Sequence, residues 1–417
     1  MGGGLLQLVA YGAQDAYLSG NPQITFWKGL FKRHTNFAME PFRVNLTGQA
    51  SWGTKHSAIL GRHADLIAST YIEVELESGD MDADVLLAQQ ALNFVNYVEL
   101  DIGGQVIDRQ YGEFMFLWAS LTFPIDKFYL FGTLQRATGA NAQCGYGGRP
   151  SRGNVYYIPL QFFFCRNPGM ALPLIALQYH EVKINILFND AKLIYQRVNP
   201  GTNNSLKSSS VGPKQANLLV DYVYLDVEER RRMAQESHEY LIEQTQFNED
   251  KGLTSGQNRV DLTFNHPVKE LIWVTQQTAK RDCRIANDQL APLEYTGIIY
   301  DCSLQLNGQD RVPSLPGKYF AGVQPYQHHS GGTMLTAGGE SIPGGVYMYS
   351  FAIRPEEHQP SGTCNFSRID TATLVFNVDG SVPISNQDNQ NYDIRVYAIN
   401  YNILRIMSGM GGLAYSN

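Results

Sequence analysis

Few residues in this chain are spaced for chemistry. His180-Glu181 begins like a zinc-peptidase motif, in which a second histidine one helical turn later completes a pair of metal-binding imidazoles, but the fourth position after His180 is Ile184. A strand histidine is the expected reading. His328-His329 lies in a Gly-rich loop with no cysteine or third histidine at ligand spacing, so a solvated loop pair is expected there. Asp101 with Asp108 or Glu113 would supply the two carboxylates of a glycosidase. Set on an alternating hairpin pattern, they are expected on its wet face without that role. Gly2-Gly3-Gly4 has neither the preceding strand nor the Lys-Ser/Thr pair of a phosphate loop and reads as a flexible end. Cys144, Cys165, Cys283, Cys302 and Cys364 are scattered, without the paired short spacings of a zinc site or disulfide framework. They read as reduced, mostly buried thiols of a cytosolic fold. The expectation is a protein that is no enzyme and carries no cofactor or metal.

Charge excludes another class. The chain has 39 acidic and 32 basic residues, a formal charge of −7, and lacks the basic footprint of a nucleic-acid coat, so no direct nucleic-acid partner is expected. Arg230-Arg231-Arg232 is offset by Glu228, Glu229 and Glu236 and reads as a charged junction. Lys28, Lys32, Arg33 and His34 form a second small cluster, suited to an acidic neighbour or lipid head groups, or else an ordinary solvated face. The longest apolar run, 170–177, contains Pro173 and is far short of the roughly 20 residues that cross a bilayer. No secretory signal is read at the N-terminus. Asn45, Asn203 and Asn365 head glycosylation sequons, of which Asn203, in a polar loop, is the best surface candidate.

The elements that would hold any site are strands. Of 417 residues, 43% are hydrophobic and 17% charged, against about 25% charged in an average soluble domain. The 12% aromatic content, with 39 glycines and 18 prolines, favours strands joined by tight turns. Ile72 to Glu77 and Val98 to Ile102 alternate apolar and acidic residues, as strands with one face on a core require. Gly103-Gly104 and Asn307-Gly308 are two-residue hairpin turns by composition. Further strands are predicted at 156–164, 181–188, 218–227, 258–264, 270–275, 346–353, 371–378 and 393–404, with helical patterning near 84–93 and 112–121. Long loops are expected at 139–153, 199–214, 313–345 and 379–391.

The chain also resembles itself. Leu100-x-Ile102-Gly103-Gly104-Gln105 matches Leu304-x-Leu306-Asn307-Gly308-Gln309 at an offset of 204. Ile72-Glu73-Val74 precedes Ile272-Trp273-Val274 by 200, and Asp221-Tyr222-x-x-Leu225 precedes Asn400-Tyr401-x-x-Leu404 by 179. One unit of about 200 residues used twice accounts for all three. A repeated all-β unit without crossover helices points to two tandem eight-stranded antiparallel jelly rolls with short helices in loops. The expected division is an arm at 1–25, jelly rolls at 26–226 and 236–417, and a linker at 227–235.

Longer motifs then resemble a family. Gly12-Ala13-Gln14-Asp15-x-Tyr17-Leu18-x-Gly20-Asn21-Pro22-Gln23-Ile24-Thr25-Phe26, followed by Arg33-His34-Thr35-Asn36-Phe37-Ala38, resembles the major capsid proteins of nucleocytoplasmic large DNA viruses. The likeness continues through Phe162-Phe163-Phe164, the stretch 168–182, His238 to Gln244, Phe264 to Pro267, Leu306 to Arg311, Gln359 to Arg368 and Tyr401 to Tyr415, with algal-virus members most similar in look. The resemblance implies a double jelly roll whose homotrimers form pseudo-hexagonal capsomers tiling an icosahedral shell. It implies as partners the neighbouring capsomers, minor capsid proteins and penton protein, with an internal membrane nearby, and a place in the virion after assembly in the host cytoplasm. The stretch between Arg311 and Tyr347 is shorter than in many members, which bears on outer-surface shape and glycans. A carbohydrate- or receptor-binding jelly roll is the alternative; it would show an aromatic and carboxylate cluster on one loop face and needs no duplicated unit. A cupin-like enzyme would need a retained metal.

Overall fold

The computed structural model describes residues 2–76, 85–87, 91–135, 155–197, 213–278, 295–331, 345–378 and 391–415. Residues through Phe37 and those from Ala38 form two separate compact units. The first contains helices α1 (Gly3–Val9) and α2 (Ala16–Ser19), with Gly12 N donating to Asp15 Oδ2 at 2.7 Å. Its large apolar side chains, Leu5, Leu8, Tyr17 and Leu18 among them, are exposed.

In the main unit, the first sandwich contains β1 (Phe37–Asn45), β2 (Lys55–Ile59), β3 (Leu66–Leu76), β4 (Val85–Leu87), β5 (Val95–Ile102), β6 (Gln105–Tyr111), β7 (Val155–Pro159), β8 (Leu172–Pro173), β9 (Val182–Phe188), β10 (Tyr195–Arg197) and β11 (Pro213–Leu225). Helices α3 (Gly112–Thr122), α4 (Ile125–Gln135), α5 (Phe163–Arg166) and α6 (Ala191–Ile194) lie between them. Helix α7 (Val227–Gln235) leads to the second sandwich, which contains β12 (His238–Lys251), β13 (Gly256–Asp261), β14 (Pro267–Gln277), β15 (Ile299–Leu306), β16 (Gln309–Pro316), helix α8 (Gln324–His328), β17 (Val346–Ser350), β18 (Cys364–Asn365), β19 (Ala372–Val378), β20 (Tyr392–Met407) and β21 (Met410–Leu413).

Sheet order repeats strand for strand. The first sandwich pairs sheets β1-β11-β3-β7 and β2-β9-β5-β6; the second pairs β12-β20-β14-β17 and β13-β19-β15-β16. Short β8 adds to β3 as β18 adds to β14. The two hairpin turns predicted from composition occupy equivalent places, β5-β6 and β15-β16. Both turns need positive φ at two successive residues, and Gly103 (62°), Gly104 (90°), Asn307 (50°) and Gly308 (76°) supply it. Beyond each hairpin the chain meets a second shared constraint. A Cβ on Gly112 would lie 2.3 Å from Val95 O, and one on Gly317 would lie 2.2 Å from Ile299 O. Only glycine lets the backbone pass there.

The other two sequence matches fall on equivalent strands but out of register. Ile72 and Val74 face their own sandwich core, whereas in β14 it is Leu271 and Trp273 that do so, while Ile272 and Val274 face the first sandwich. A one-residue slip exchanges the faces of a strand, so the match of Ile72 with Ile272 is chance resemblance within a true repeat.

Several local expectations change. Part of the 84–93 region is strand β4 and a 3-10 turn at Ala91–Phe94, its four residues buried. The strand predicted over 156–164 stops at Pro159, because Phe162, Phe163 and Phe164 are all buried, and a helical turn buries consecutive residues where an edge of alternating pattern cannot. The expected linker is the helix α7, capped by Asp226, whose Oδ1 accepts from Val227 N at 2.7 Å. Within 313–345, the residues Tyr319–Val323 and α8 are helical instead of loop.

Candidate functional site: the seam between the sandwiches

Sheet β12-β20-β14-β17 is covered twice. Ile394, Val396 and Ala398 on β20 enter the second core, and Tyr397 and Ile399 enter the core shared with the first sandwich. Both faces of this strand are dry, so its polar residues must find partners across the seam.

Arg395 is the largest such case. Its Nε donates to Glu113 Oε2 at 2.7 Å and its Nη2 to Glu113 Oε1 at 2.6 Å, a two-point contact with α3, and Nη2 also reaches Gln276 Oε1 at 2.7 Å. The Tyr397 hydroxyl donates to the same carboxylate. Burial opposes the guanidinium charge, but Glu113 outweighs it and holds the Arg395 pKa above its usual range. Burial, then the neighbouring carboxylate, holds the Tyr397 phenol well above its ordinary value.

A second cluster lies around Trp118. Arg166 Nη1, at the end of α5, donates to Glu243 Oε2 at 2.8 Å and its guanidinium lies 4.2 Å from the Trp118 ring centre. The fully buried Lys269 pairs with Glu243 Oε1 at 2.7 Å and donates to Pro355 O at 2.7 Å. Burial pulls the Lys269 pKa down. Burial pushes Glu243 the other way, yet Lys269 and Arg166 hold it below the usual carboxylate range.

The third cluster contains His329. Its two ring nitrogens each lie 3.0 Å from a carboxylate, Nε2 from Glu270 and Nδ1 from Glu356, a geometry that only the doubly protonated ring satisfies. Burial alone would lower its pKa, but Glu270 outweighs burial and raises it to about 9. The neighbouring backbone joins the sandwiches directly: Gly331 N donates to Leu121 O at 2.7 Å, and the Ser330 hydroxyl lies 2.9 Å from Thr122 O.

At the other end, the edge of β12 is closed by a side chain. Asp108 Oδ1 accepts from Thr245 N at 2.9 Å and Oδ2 from Gln110 Nε2 at 3.1 Å, while burial pushes its pKa up to about 6. Gln244 donates its amide to Ile107 O.

The residues singled out from sequence take quite different places. Asp108 and Glu113 are not on a wet hairpin face: both are seam residues, because the second sandwich covers that face. Only Asp101 stays at the turn, its Oδ1 accepting from Gly104 N at 2.8 Å. His329 is no solvated loop residue, since its side chain is buried, whereas His328 Nδ1 bonds Ile353 O at 3.0 Å. His180, in the turn before β9, places Nδ1 3.0 Å from Gly411 O in the second sandwich. Arg230 pairs with Asp65 at 3.0 Å and Arg232 with Glu236 at 3.1 Å. Lys28, Lys32, Arg33 and His34 are exposed in the first unit, and Asn45 and Asn365 are exposed on the main one. Asn203, Cys144 and Cys283 lie outside the described residues; Cys302 is buried and Cys165 and Cys364 half-buried, all as free thiols. Among the described residues no group of three His, Cys, Asp or Glu side chains forms a metal cage, and no helix is long and apolar enough to cross a membrane.

Sequence reasoning passed over Arg166, Glu243, Lys269, Glu270, Glu356 and Arg395. The available signal was charge inside apolar strands: Lys269-Glu270 opens a nearly continuous buried run, and Arg395 interrupts another.

Two equivalent eight-stranded sandwiches joined by buried ion pairs define a double jelly-roll structural protein. Residues 229–412 match the family described as large eukaryotic DNA virus major capsid protein, and residues 25–226 match the major capsid protein N-terminus. The major capsid protein of Pyramimonas orientalis virus is 44% identical, covering 100% of both chains. A chain of the quasi-atomic model of the PBCV-1 virus capsid is 34% identical, with a TM-score of 0.75 over 94% of this chain and 100% of that one. The Faustovirus major capsid protein shares the fold at 10% identity, with a TM-score of 0.70 over 95% of this chain and 94% of that one. The chain belongs to the family of major capsid proteins of large eukaryotic DNA viruses, and its role is that of a structural capsid protein of the virion.

Proposed function

We propose that this chain assembles as a homotrimer whose three pairs of sandwiches make a six-sided capsomer, and that capsomers tile an icosahedral shell. The observation that carries the reading is the seam. Two equivalent sandwiches locked by the Glu113–Arg395 and Arg166–Glu243 contacts and by the Gly331–Leu121 backbone bond behave as one rigid block with two similar sides. Three such blocks related by rotation offer six similar sides, and a head-to-tail contact that closes makes a ring. Capping of the β12 edge by Asp108 supports association through side-chain faces in place of open-ended edge pairing.

In this reading residues 26–226 and 236–417 are the working halves, 227–235 joins them, and 1–25 is an arm serving assembly. Other capsomers, minor capsid proteins and a penton protein are the partners, with an internal membrane nearby and assembly in the host cytoplasm. The protein acts by assembly, without catalysis. Sedimentation or light scattering of the purified chain at micromolar concentration tests the central point. A stable trimer is expected, with an obligate interface on the order of several thousand Å² per subunit. Monomer alone overturns the reading.

A further inference from the structure

We propose that the contact between copies reuses the geometry of the seam within each copy, with the helical turns around Val323 and Tyr326 of one copy docking into the cleft between β3 and α4 of the next. This rests on the trimeric reading above and names the surfaces that would make it.

The argument starts from the repeat. Gly112 opens α3 as Gly317 opens the turns that run through Tyr319–Val323 into α8, each after the equivalent hairpin and against the equivalent carbonyl. Within one copy α3 is the inserting element: Trp118 is buried against Lys269 and His329, and Glu113 reaches Arg395. Its counterpart in the second sandwich inserts into no other described residues with its exposed side chains. Tyr326 is 88% exposed and Val323 40% exposed. The segment after β17 behaves the same way. Its first-sandwich counterpart, α5 after β7, buries Phe163 and places Arg166 in the seam, whereas Ile353 is 70% exposed and Arg354 also points to solvent.

The receiving surface is repeated too. In the second sandwich, Trp118 rests beside Lys269 of β14 and beside His329, just after α8, which is itself bonded to Glu270 of β14. In the first, the strand equivalent to β14 is β3, and the residues following α3 are Phe123 and Pro124. These border a cleft of about 560 Å³ with Ser69 and Tyr71 of β3 on one side and Leu130 and Leu134 of α4 on the other, continuous with this copy's own seam through Trp118, Arg166 and Glu356, which also line it. Leu130 is exposed, as are Ile125 and Tyr129 on the same helix. Among the described residues Ile125, Tyr129 and Leu130 of this wall have no cover within the copy, and a head-to-tail ring brings to it the elements of the repeat that lack a socket.

The same logic says which exposed aromatic is outside the contact. Tyr300 on β15 is also largely exposed, but its counterpart on β5, Asn96, is exposed as well and makes none of the seam contacts described above. Exposure alone would not separate Tyr300 from Tyr326.

The experiment compares wild type with Tyr326→Glu, Leu130→Glu and Tyr300→Glu by analytical ultracentrifugation, with far-ultraviolet circular dichroism as a check on folding. Wild type and Tyr300→Glu should sediment as trimers. Tyr326→Glu and Leu130→Glu should each sediment as folded monomers at micromolar concentration. Because each retains the surface the other has lost, mixing the two at raised concentration should give one-to-one dimers that cannot close. Trimers of either variant, or no pairing on mixing, would overturn the assignment while leaving a trimeric wild type intact. A monomeric wild type would instead overturn the trimer reading and this proposal with it.

Discussion

Arg395 shows how much one side chain can depend on a neighbouring domain. Removing it leaves the Glu113 carboxylate facing a dry seam, and breaking a buried pair from one side costs about 3–5 kcal/mol. Arg395→Met should therefore lower the denaturation midpoint strongly, while Arg395→Met combined with Glu113→Leu should recover part of the loss; equal or additive losses in a double-mutant cycle at fixed protein concentration would count against the pairing. His329 and Asp108 set the pH response. The folded His329 pKa of about 9 exceeds its unfolded value near 6.5, so its contribution is fully present below 6.5 and is lost as pH rises through 9. Asp108 is raised from 3.8 to about 6, which disfavours its charged form in the fold, so its contribution is present below 3.8, falls as pH rises from there and is lost by about 6. Glu243 and Glu356 act oppositely, since their lowered pKa values stabilise the fold above 4.5 and that contribution is lost in stronger acid. Maximum thermal stability is expected between about pH 5 and 6.5, with a decline toward pH 9. His329→Gln should flatten that decline, which would otherwise amount to roughly 3 kcal/mol at 1.36 kcal/mol per pKa unit. An unchanged alkaline limb in the variant would show that the ring is not the titrating group.

At the scale of elements, what the sequence made legible was what local rules govern. The β5-β6 and β15-β16 hairpins were readable because Gly103-Gly104 and Asn307-Gly308 must take positive φ wherever they occur in such a setting. The strand β9 was readable because it has one dry face, so its residues alternate. Strands β14 and β20 were found but could not be put in register, because burial on both faces erases the alternation that sets it. That is why Ile72 aligned with Ile272 although the two face opposite ways relative to their own cores. Glu113 was visible as an acid, and Arg395 as a base, but their meeting is a contact between residues 282 positions apart. No local pattern encodes it. Helix α4 was missed for a related reason: Ile125, Tyr129 and Leu130 lie exposed, so its apolar residues do not mark a buried stripe.

At the scale of the whole molecule, the chain divides its apolar surface between what one copy buries and what it leaves for others. The N-terminal unit leaves its large apolar side chains exposed. Its two helices have seven and four residues, too short to be stable by themselves in water, and none of their residues is buried. Leu5, Leu6, Leu8, Val9, Tyr17 and Leu18 nonetheless give it more apolar surface than a solvated tail requires, and Lys28, Lys32 and Arg33 add a basic stretch beside Trp27 and Phe31. Ordering such a segment needs buried area from a neighbour to offset the lost chain entropy. The core clusters of the sandwiches, with the half-buried residues packed on them, include no described residue before Phe42, so folding of either sandwich makes no demand on it. Deleting residues 2–20 should accordingly leave soluble trimers with a nearly unchanged melting temperature, yet impair their incorporation into particles. Loss of trimers on deletion would assign the segment to the capsomer itself, and normal incorporation without it would remove its role in assembly.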